Sequence, residues 1–322
     1  MAKNNIELSI VLPVYNEENN IDLLFTRIIS SVEQLKCNYE IIFVNDGSFD
    51  NSLEIIINLS KNNPNVKYID FSRNFGHQIA IYAGMEKSKG NYVVIMDSDL
   101  QDPPEEIINL YNTVKQGFDV VHAKRKIRKG ETIFKKLTAK IYYRLLRKIT
   151  KCNIPVDVGD FRIISKKVVN ILKQMPEQEK YLRGQIAWVG FKQTFVEYDR
   201  DQRAEGKTKF SIAKMTKFAI DGITSFSNFP LRFATYLGFF VSIISFVLIL
   251  WALYQRFIAK EYVQGWTSII LSVLFMGGIM LITIGIIGEY ISRMGSNIRK
   301  RPLYIINETN LDDEEEDKEE TN

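Results

Sequence analysis

Short apolar runs alternate with helix-like stretches over the first 123 residues of the chain. The runs are rich in Ile and Val and are apolar at successive positions, which is typical of strands buried on both faces of a parallel sheet. They cover residues 8–14, 40–44, 66–71, 92–96 and 119–122. The segments between them, such as residues 17–35 and 52–62, carry apolar residues at helical spacing. This alternation predicts a doubly wound α/β domain with a Rossmann-like, mostly parallel sheet.

Two long uncharged stretches follow this domain, at residues 233–255 and 262–288. Each is longer than the roughly 20 apolar residues that span a bilayer. We therefore predict a transmembrane hairpin with helices at about residues 233–255 and 266–288. Basic residues flank the hairpin on both sides, with Arg232 before it and Arg299 and Lys300 after it. The positive-inside rule then predicts a multi-pass protein of the cell membrane, with both termini and the α/β domain in the cytoplasm.

Charge is distributed unevenly along the chain. Residues 308–322 carry a net charge of −8, so residues 1–307 carry +12 in a chain whose total is +4. The acidic end has little to bury and is predicted to be disordered. Beside two membrane spans, the excess positive charge favours anionic membrane lipids as the partner over nucleic acid.

Residues 131–150 combine apolar residues at i+4 spacing with cationic residues at i+4 spacing on a neighbouring face. This pattern predicts an amphipathic helix in the membrane interface. An ordinary surface helix packed on the domain is the alternative. Residues 211–230 suggest a second interfacial helix.

The composition excludes several other classes of protein. Two cysteines, Cys37 and Cys152, cannot form a disulfide framework. The sequence contains neither a Walker A motif nor G-x-G-x-x-G, which argues against P-loop NTPases and dinucleotide-binding enzymes.

Polar residues follow the first four predicted strands, where open α/β sheets bind their ligands. The sharpest signal is Asp97-Ser98-Asp99, directly after the fourth strand. Two carboxylates at i and i+2 can converge on Mg²⁺ or Mn²⁺, which prefers oxygen ligands and is often shared with substrate phosphates. The pattern predicts a site for a divalent cation and a diphosphate at this edge of the sheet.

The segments VLPVYNEENN, VNDGSFD, SRNFGHQIAIYAG and MDSDLQDPPE resemble family 2 inverting glycosyltransferases with a GT-A fold. More narrowly, they resemble polyprenyl-phosphate glycosyltransferases such as dolichol-phosphate mannose synthases and bactoprenol glucosyltransferases. The resemblance extends from about residue 6 to residue 302. It implies a GT-A catalytic domain over residues 1–210, a membrane region over residues 231–292 and a cytoplasmic tail over residues 293–322.

The resemblance also implies roles for the polar residues at the sheet edge. The residues that would hold the base and ribose of a sugar nucleotide are Pro13, Tyr15, Glu17 and Asp46. The residues that would surround the diphosphate and its Mg²⁺ or Mn²⁺ ion are Asp97, Ser98, Asp99 and Gln101, with Asp97, Asp99 and Gln101 as metal ligands.

The same resemblance implies that charged residues further along the chain serve the acceptor and the leaving group. Arg125 and Arg128 would bind the acceptor phosphate, because a guanidinium binds phosphate in a bidentate way. Asp160, or alternatively Asp157, would lie near the reacting centre. A phosphate monoester has a second pKa near 6, so the acceptor needs little help from a base and we expect Asp160 to orient Arg125 or the sugar. The leaving group would be stabilised by Arg203 and Lys209, with Lys207 as an alternative.

Together these features predict the transfer of one sugar from a nucleotide diphosphate sugar, with a UDP-hexose such as UDP-glucose favoured, to undecaprenyl or another polyprenyl phosphate. The Gln-x-x-Arg-Trp motif of processive relatives is absent, which favours a single transfer. A homo-oligomer is also predicted. The alternatives are a GDP-mannose-dependent synthase and a non-catalytic partner that binds nucleotide sugar. A lipid-linked sugar translocator is disfavoured, because two spans provide little polar passage.

Overall fold

A computed structural model describes residues 6–126, 158–199, 229–254, 258 and 265–311 of the chain. The protein consists of two compact units. The described part of the first unit comprises residues 6–126, 158–199 and 301–311, so its chain is discontinuous. The described part of the second unit comprises residues 229–254, 258 and 265–300.

Within the described residues, eight strands of the first unit form one sheet. Their bounds are β1 Leu8–Val14, β2 Tyr39–Asn45, β3 Val66–Phe71, β4 Tyr92–Ile95, β5 Val120–Arg125, β6 Val158–Ser165, β7 Gln193–Tyr198 and β8 Ile306–Thr309. The order across the sheet is β7-β5-β6-β4-β1-β2-β3-β8. Strands β4, β1, β2 and β3 run parallel to one another, as do β5 and β7. The five strands predicted from the apolar runs are therefore confirmed, and every residue of β1 is buried.

Three strands were not predicted, and two of them, β6 and β8, introduce antiparallel pairings. Strand β6 runs antiparallel between β4 and β5. Strand β7 lies at one edge of the sheet. Strand β8 pairs antiparallel with β3 at the other edge. The prediction that the acidic end is disordered from residue 308 is wrong at its start, because Glu308 lies in β8 and accepts a hydrogen bond from the Tyr68 hydroxyl (2.6 Å).

Helices cover both faces of the sheet, as predicted. They are α1 Ile21–Val32, α2 Ser52–Asn62, α3 His77–Lys87, α4 Glu106–Val114, α5 Lys166–Gln174 and α6 Leu182–Val189, and a 3₁₀ turn at Glu33–Leu35 follows α1. Helices α1, α2 and α4 contribute to one core cluster, and α3, α5 and α6 contribute to the clusters on the other face. Helix α3 approaches the sheet closely at Gly84, where a Cβ atom would lie 2.3 Å from Val11 Cγ1. Glycine at this position lets α3 carry its amino-terminal residues to the ligand edge of the sheet.

The described part of the second unit contains two long helices, α7 Phe229–Tyr254 and α8 Trp266–Arg299. Both predicted spans lie in these helices, and α8 continues beyond the predicted end at residue 288. Large apolar side chains such as Phe239, Phe246 and Ile284 are exposed on them. Among the described residues, one segment, Phe275–Arg299, is long and apolar enough to cross a bilayer by length and composition, with a mean hydropathy of 1.6. The predicted interfacial helices at residues 131–150 and 211–230 lie outside the described residues.

Candidate active site

The loops that follow β1 and β2 are bonded into one structure at the carboxyl edge of the sheet. Asn16 adopts a left-handed conformation (φ 55°), which asparagine tolerates better than most residues. Its backbone N–H donates to Ser48 Oγ (3.0 Å), and its side-chain Oδ1 accepts from the Phe49 backbone N–H (2.8 Å). The Glu17 backbone N–H donates to Ser52 Oγ (2.9 Å). The two loops therefore hold each other in place.

This pair of loops carries two aromatic side chains, Tyr15 and Phe49. Their rings meet edge to face with centroids 6.2 Å apart, and Phe49 is 87% exposed. An exposed aromatic ring supported by a second one can stack on a planar base. The Glu17 carboxylate lies in the same loop and accepts a hydrogen bond from Asn20 Nδ2 (2.6 Å).

Asp46, at the end of β2, holds the loop that begins α3. Its buried carboxylate accepts backbone N–H groups of Phe75 (2.7 Å) and Gly76 (3.0 Å). Burial raises the pKa of Asp46, while the two backbone N–H groups oppose that shift. Gly47 follows with φ 68°, and a Cβ atom there would lie 2.6 Å from the Asn74 backbone nitrogen. The structure thus gives Asp46 a supporting role at the edge where a ribose was predicted.

Pro13 and Ser98 connect β1 to the loop after β4. Pro13 is buried in β1, and its carbonyl accepts a hydrogen bond from Ser98 Oγ (2.8 Å). Ser98 is itself 3% exposed. Both residues were predicted to contact the ligand, and the contact between them fixes the position of the flanking carboxylates Asp97 and Asp99.

The carboxylates after β4 could hold a divalent cation. Within the part of the chain that the structure describes, Asp97 Oδ1 is buried and accepts no hydrogen bond. Burial and the negative charges of neighbouring carboxylates raise the pKa of Asp97 above its usual range, against the opposing charge of His77. Asp99 Oδ1 accepts the Gln101 backbone N–H (3.1 Å). Asp97 Oδ1 is a buried carboxylate oxygen that accepts no hydrogen bond from the described residues and lies near other carboxylates, which suits the binding of a hard cation.

The same residues do not form a complete metal site by themselves. Among the described residues, no three His, Cys, Asp or Glu side chains are grouped closely enough to hold a metal ion. Mg²⁺ and Mn²⁺ commonly take one or two carboxylates and complete their coordination with water and substrate phosphates. The residues present therefore fit a cation that binds together with a diphosphate.

Asp160, in β6, is enclosed by hydrogen-bond donors and cations from β6 itself and from helices α3 and α6. Its Oδ1 accepts from Arg162 Nη2 (2.6 Å), and Arg183 Nη2 of α6 lies 3.7 Å from the same oxygen. Its Oδ2 accepts from Gln78 Nε2 (3.0 Å), and His77 Nε2 lies 3.5 Å away. His77 Nε2 also lies 3.3 Å from Asp97 Oδ1, so it bridges the carboxylates of β4 and β6.

These neighbours determine the charge of each group. Burial alone would raise the pKa of Asp160, but the His77 hydrogen bond and the two arginines hold it well below its usual range. Burial alone would lower the pKa of His77, but Asp160 and Asp97 raise it to about 9. Burial lowers the pKa of Arg162 to about 10. Asp160 is therefore ionised at neutral pH and is a weak proton acceptor.

Arg125 ends β5 beside this cluster. Its Nε donates to the Tyr198 hydroxyl (3.3 Å), and its Nη2 lies 3.8 Å from Asp102 Oδ1, which also accepts from Tyr198. A Cβ atom on Gly159 would lie 3.0 Å from Arg125 Nη2, so the guanidinium lies close against the backbone next to Asp160. The structure thereby brings Arg125 to the same edge as Asp160.

Sequence reasoning missed four residues around Asp160. His77 and Gln78 lie in the SRNFGHQ motif and Arg162 follows Asp160 by two positions, so the sequence offered a local signal for all three. Arg183 had none, because it reaches the cluster from α6. The predicted residues Arg128, Arg203 and Lys209, and the alternatives Asp157 and Lys207, lie outside the described residues.

A mixed sheet with helices on both faces and a carboxylate cluster at the end of β4 defines a glycosyltransferase of the GT-A class. The chain belongs to glycosyl transferase family 2, whose model matches residues 9–172. A second model, the GtrB C-terminal hairpin, matches residues 229–294. The predicted GT-A fold, family and glycosyltransferase activity are confirmed.

Two relatives match nearly the whole chain. An uncharacterized glycosyltransferase of Bacillus subtilis (strain 168), YkcC, is 49% identical over 302 residues, which are 94% of each chain. A bactoprenol glucosyl transferase of Shigella phage SfII is 40% identical over 301 residues, which are 94% of this chain and 97% of the relative. The predicted similarity to bactoprenol glucosyltransferases is therefore confirmed.

The catalytic fold is also similar to a solved structure. Glucosyl-3-phosphoglycerate synthase from Mycobacterium tuberculosis, in complex with Mn²⁺, UDP and phosphoglyceric acid, is 20% identical with a TM-score of 0.50. The match covers 69% of this chain and 78% of that one. At this identity the likeness supports the GT-A fold.

Proposed function

We propose that the protein transfers one glucosyl residue from a nucleotide diphosphate sugar, with UDP-glucose favoured, to undecaprenyl or another polyprenyl phosphate. The observation that carries the proposal is that two sites of opposite charge lie at one edge of the sheet. A cluster of carboxylates suits a cation and a diphosphate, and the Arg125 guanidinium beside it suits an acceptor phosphate. Relatives named bactoprenol glucosyl transferase support glucose as the sugar and a polyprenyl phosphate as the acceptor.

In this proposal the donor binds across the ends of β1, β2 and β4. Tyr15 and Phe49 stack on the base, Glu17 and Asp46 line the ribose, and Pro13 and Ser98 support the diphosphate site. Asp97, Asp99 and Gln101 bind Mg²⁺ or Mn²⁺ together with the diphosphate. When bound, the cation would neutralise negative charge on the leaving nucleotide diphosphate.

The acceptor phosphate binds Arg125, together with Arg128. Its oxygen attacks the anomeric carbon in line, the bond to the nucleotide diphosphate breaks, and the configuration inverts. The phosphate is largely ionised at neutral pH, so no base is required. Asp160 instead holds His77, Gln78 and Arg162 in position. Arg203 and Lys209 stabilise the leaving group.

The second unit anchors the reaction to the membrane in this proposal. Residues 233–255 and 266–288 form a transmembrane hairpin with both termini cytoplasmic. The match to the GtrB C-terminal hairpin and the apolar segment Phe275–Arg299 support this arrangement. The protein acts on the cytoplasmic face, where water-soluble nucleotide sugars are available, and assembles as a homo-oligomer.

The direct test is a substrate panel with the full-length protein reconstituted in lipid. Undecaprenyl phosphate would be combined separately with UDP-glucose, UDP-galactose, UDP-N-acetylglucosamine and GDP-mannose, and the lipid product identified by mass spectrometry. We expect one hexose on the lipid phosphate with UDP-glucose. Product formation with GDP-mannose alone would establish the mannose synthase instead, and nucleotide-sugar binding without transfer would support the non-catalytic alternative.

Replacing Arg125 with Ala should lower transfer about a hundredfold, since loss of one charged partner of a buried contact typically costs a few kcal/mol. The guanidinium offsets repulsion between two anionic substrates. Slow hydrolysis of UDP-glucose by water needs no acceptor and should persist. Both rates can be measured on one preparation by separating the lipid product from free glucose.

Lys124→Ala is the matched control for this substitution. Lys124 is the neighbouring cation on β5 and pairs with Glu197 (2.8 Å) at the surface, so its loss should leave transfer within about twofold of the wild type. Equal loss of transfer and hydrolysis in Arg125→Ala would assign Arg125 to the donor site and contradict the acceptor role.

A further inference from the structure

Strand β8 makes a side-chain contact with a buried carboxylate of the sheet. Asn307 Nδ2 donates to Asp70 Oδ2 (2.8 Å). Asp70 is 4% exposed, and its other oxygen accepts from Asn45 Nδ2 (2.7 Å). The carboxylate is thus held between an asparagine of β8 and an asparagine at the end of β2.

The hydrogen bonds continue from Asn45 into the loops at the ligand edge. Asn45 Oδ1 accepts the Ser48 backbone N–H (3.3 Å), and Ser48 Oγ accepts the Asn16 backbone N–H (3.0 Å). Asn16 in turn accepts the Phe49 backbone N–H. An unbroken path of hydrogen bonds therefore runs from β8, at the edge of the sheet, to the loops that carry Tyr15 and Phe49.

The chemistry of this path allows a change at β8 to be passed on to the loops at the ligand edge. Both ends of the Asn45 amide are used, so its orientation is determined by Asp70 on one side and by Ser48 on the other. A buried carboxylate that loses a hydrogen-bond donor is expected to shift toward another donor, because a buried acceptor without a hydrogen bond costs free energy. The available response is a shift of Asp70 and Asn45, which would move the Ser48 turn.

Strand β8 is also attached by contacts that do not involve Asp70. Asn310 bonds the β3 backbone twice, accepting from the Tyr68 N–H (2.8 Å) and donating to the Val66 carbonyl (3.1 Å). The Tyr304 ring stacks on Phe71 with centroids 5.1 Å apart. The strand should therefore remain in place when Asn307 alone is changed.

We propose that Asn307 and Asp70 are positioning residues for nucleotide-sugar binding, through which strand β8 sets the geometry of the base-binding loops. The inference rests on the proposed function, in which Tyr15 and Phe49 receive the base of the donor. It gives the segment after the second long helix a role in donor affinity. Neither residue touches the donor, and both act through Asn45.

The test compares Asn307→Leu with Asn310→Leu in the full-length protein. Leucine fills the volume of asparagine without a donor and keeps water from replacing the lost bond. Asn307→Leu should raise the KM for UDP-glucose about tenfold, which corresponds to about 1.4 kcal/mol. Its kcat and its KM for undecaprenyl phosphate should stay within about twofold, because the reacting groups are not on this path. Asn310→Leu should lower the melting temperature and leave all three constants unchanged.

A second variant keeps the test decisive if Asn307→Leu folds poorly. Asn307→Ala admits water to Asp70 and should raise the same KM less than leucine does. An unchanged KM for UDP-glucose in both Asn307 variants, or an equal rise in Asn310→Leu, would overturn the inference. A wild-type protein that neither binds nor uses UDP-glucose would instead overturn the proposed function, and the positioning role with it.

Discussion

Replacing Asp160 with Asn should lower glucosyl transfer about a hundredfold, with no recovery as the pH rises from roughly 6 to 9. The carboxylate is ionised throughout this range, because His77, Arg162 and Arg183 hold the pKa of Asp160 well below its usual value. A group that is always ionised adds no titration of its own to the rate. The amide would keep the shape of the side chain and lose the charge that positions its cationic neighbours.

The pH profile separates the two roles that a carboxylate at this position can play. A catalytic base would be needed less as the acceptor phosphate ionises above a pKa near 6, so the defect of Asp160→Asn would shrink at high pH. Recovery of that kind would contradict the positioning role. Transfer should be measured with saturating donor across the range, together with the wild type.

Loss of the Asp160 charge also leaves Arg162 buried without its ion-pair partner, which typically destabilises a protein by about 3–5 kcal/mol. The melting temperature must therefore be measured with the rate. Asp119→Asn is the matched control, because Asp119 lies at the opposite end of the β5–β6 pair, where it accepts from Ser165 (3.4 Å). That variant should keep full transfer activity.

Replacing Asp99 with Asn should remove most turnover, by about a hundredfold or more, and weaken the binding of Mn²⁺ in the presence of UDP. The reason is that the amide cannot neutralise the cation that the carboxylates after β4 are suited to hold. Titration calorimetry of Mn²⁺ with and without UDP measures the affinity independently of the reaction. Asp22→Asn, an exposed acid in the first turn of α1, removes the same charge and should change neither quantity.

The pH dependence of metal affinity gives a second readout of the same site. A carboxylate must lose its proton to bind a cation. Because burial and neighbouring carboxylates raise the pKa of Asp97, its protonated fraction at mildly acidic pH exceeds that of an ordinary aspartate. Mn²⁺ affinity should therefore weaken as the pH falls into this range. Full activity in EDTA, or unaltered Mn²⁺ binding by Asp99→Asn, would contradict a metal role for these carboxylates.

The parallel half of the fold could be predicted from the sequence because burial on both faces produces a continuous apolar run. Strand β1 is such a run, and all seven of its residues are buried. Strand β6 could not be recognised in this way, since Gly159, Asp160 and Arg162 interrupt its apolar pattern where the strand meets the site. Strand β8 was hidden for another reason. It has one apolar residue among four, and its pairing with β3 depends on chain about 240 residues away.

The residues of the candidate site also fall into two groups, those that local sequence could predict and those that it could not. Carboxylates that directly follow a strand, such as Asp97 and Asp99, were predicted because their position depends on local chain geometry. The enclosure of Asp160 by His77 and Arg183 was not predicted, because it results from three segments of the chain that come together only in the folded domain. That convergence decides the charge of Asp160, and hence its proposed role.

The pairing of β3 with β8 also affects how the enzyme is synthesised. Residues 66–71 leave the ribosome long before residues 306–309, and both long helices are made in between. Until residues 306–309 have been made, β3 has an unpaired edge, which is the kind of surface that promotes aggregation. Completion of the catalytic sheet must therefore wait until both long helices have been made. A ribosome that stalls within the second long helix would leave a nascent chain whose sheet still lacks its last strand.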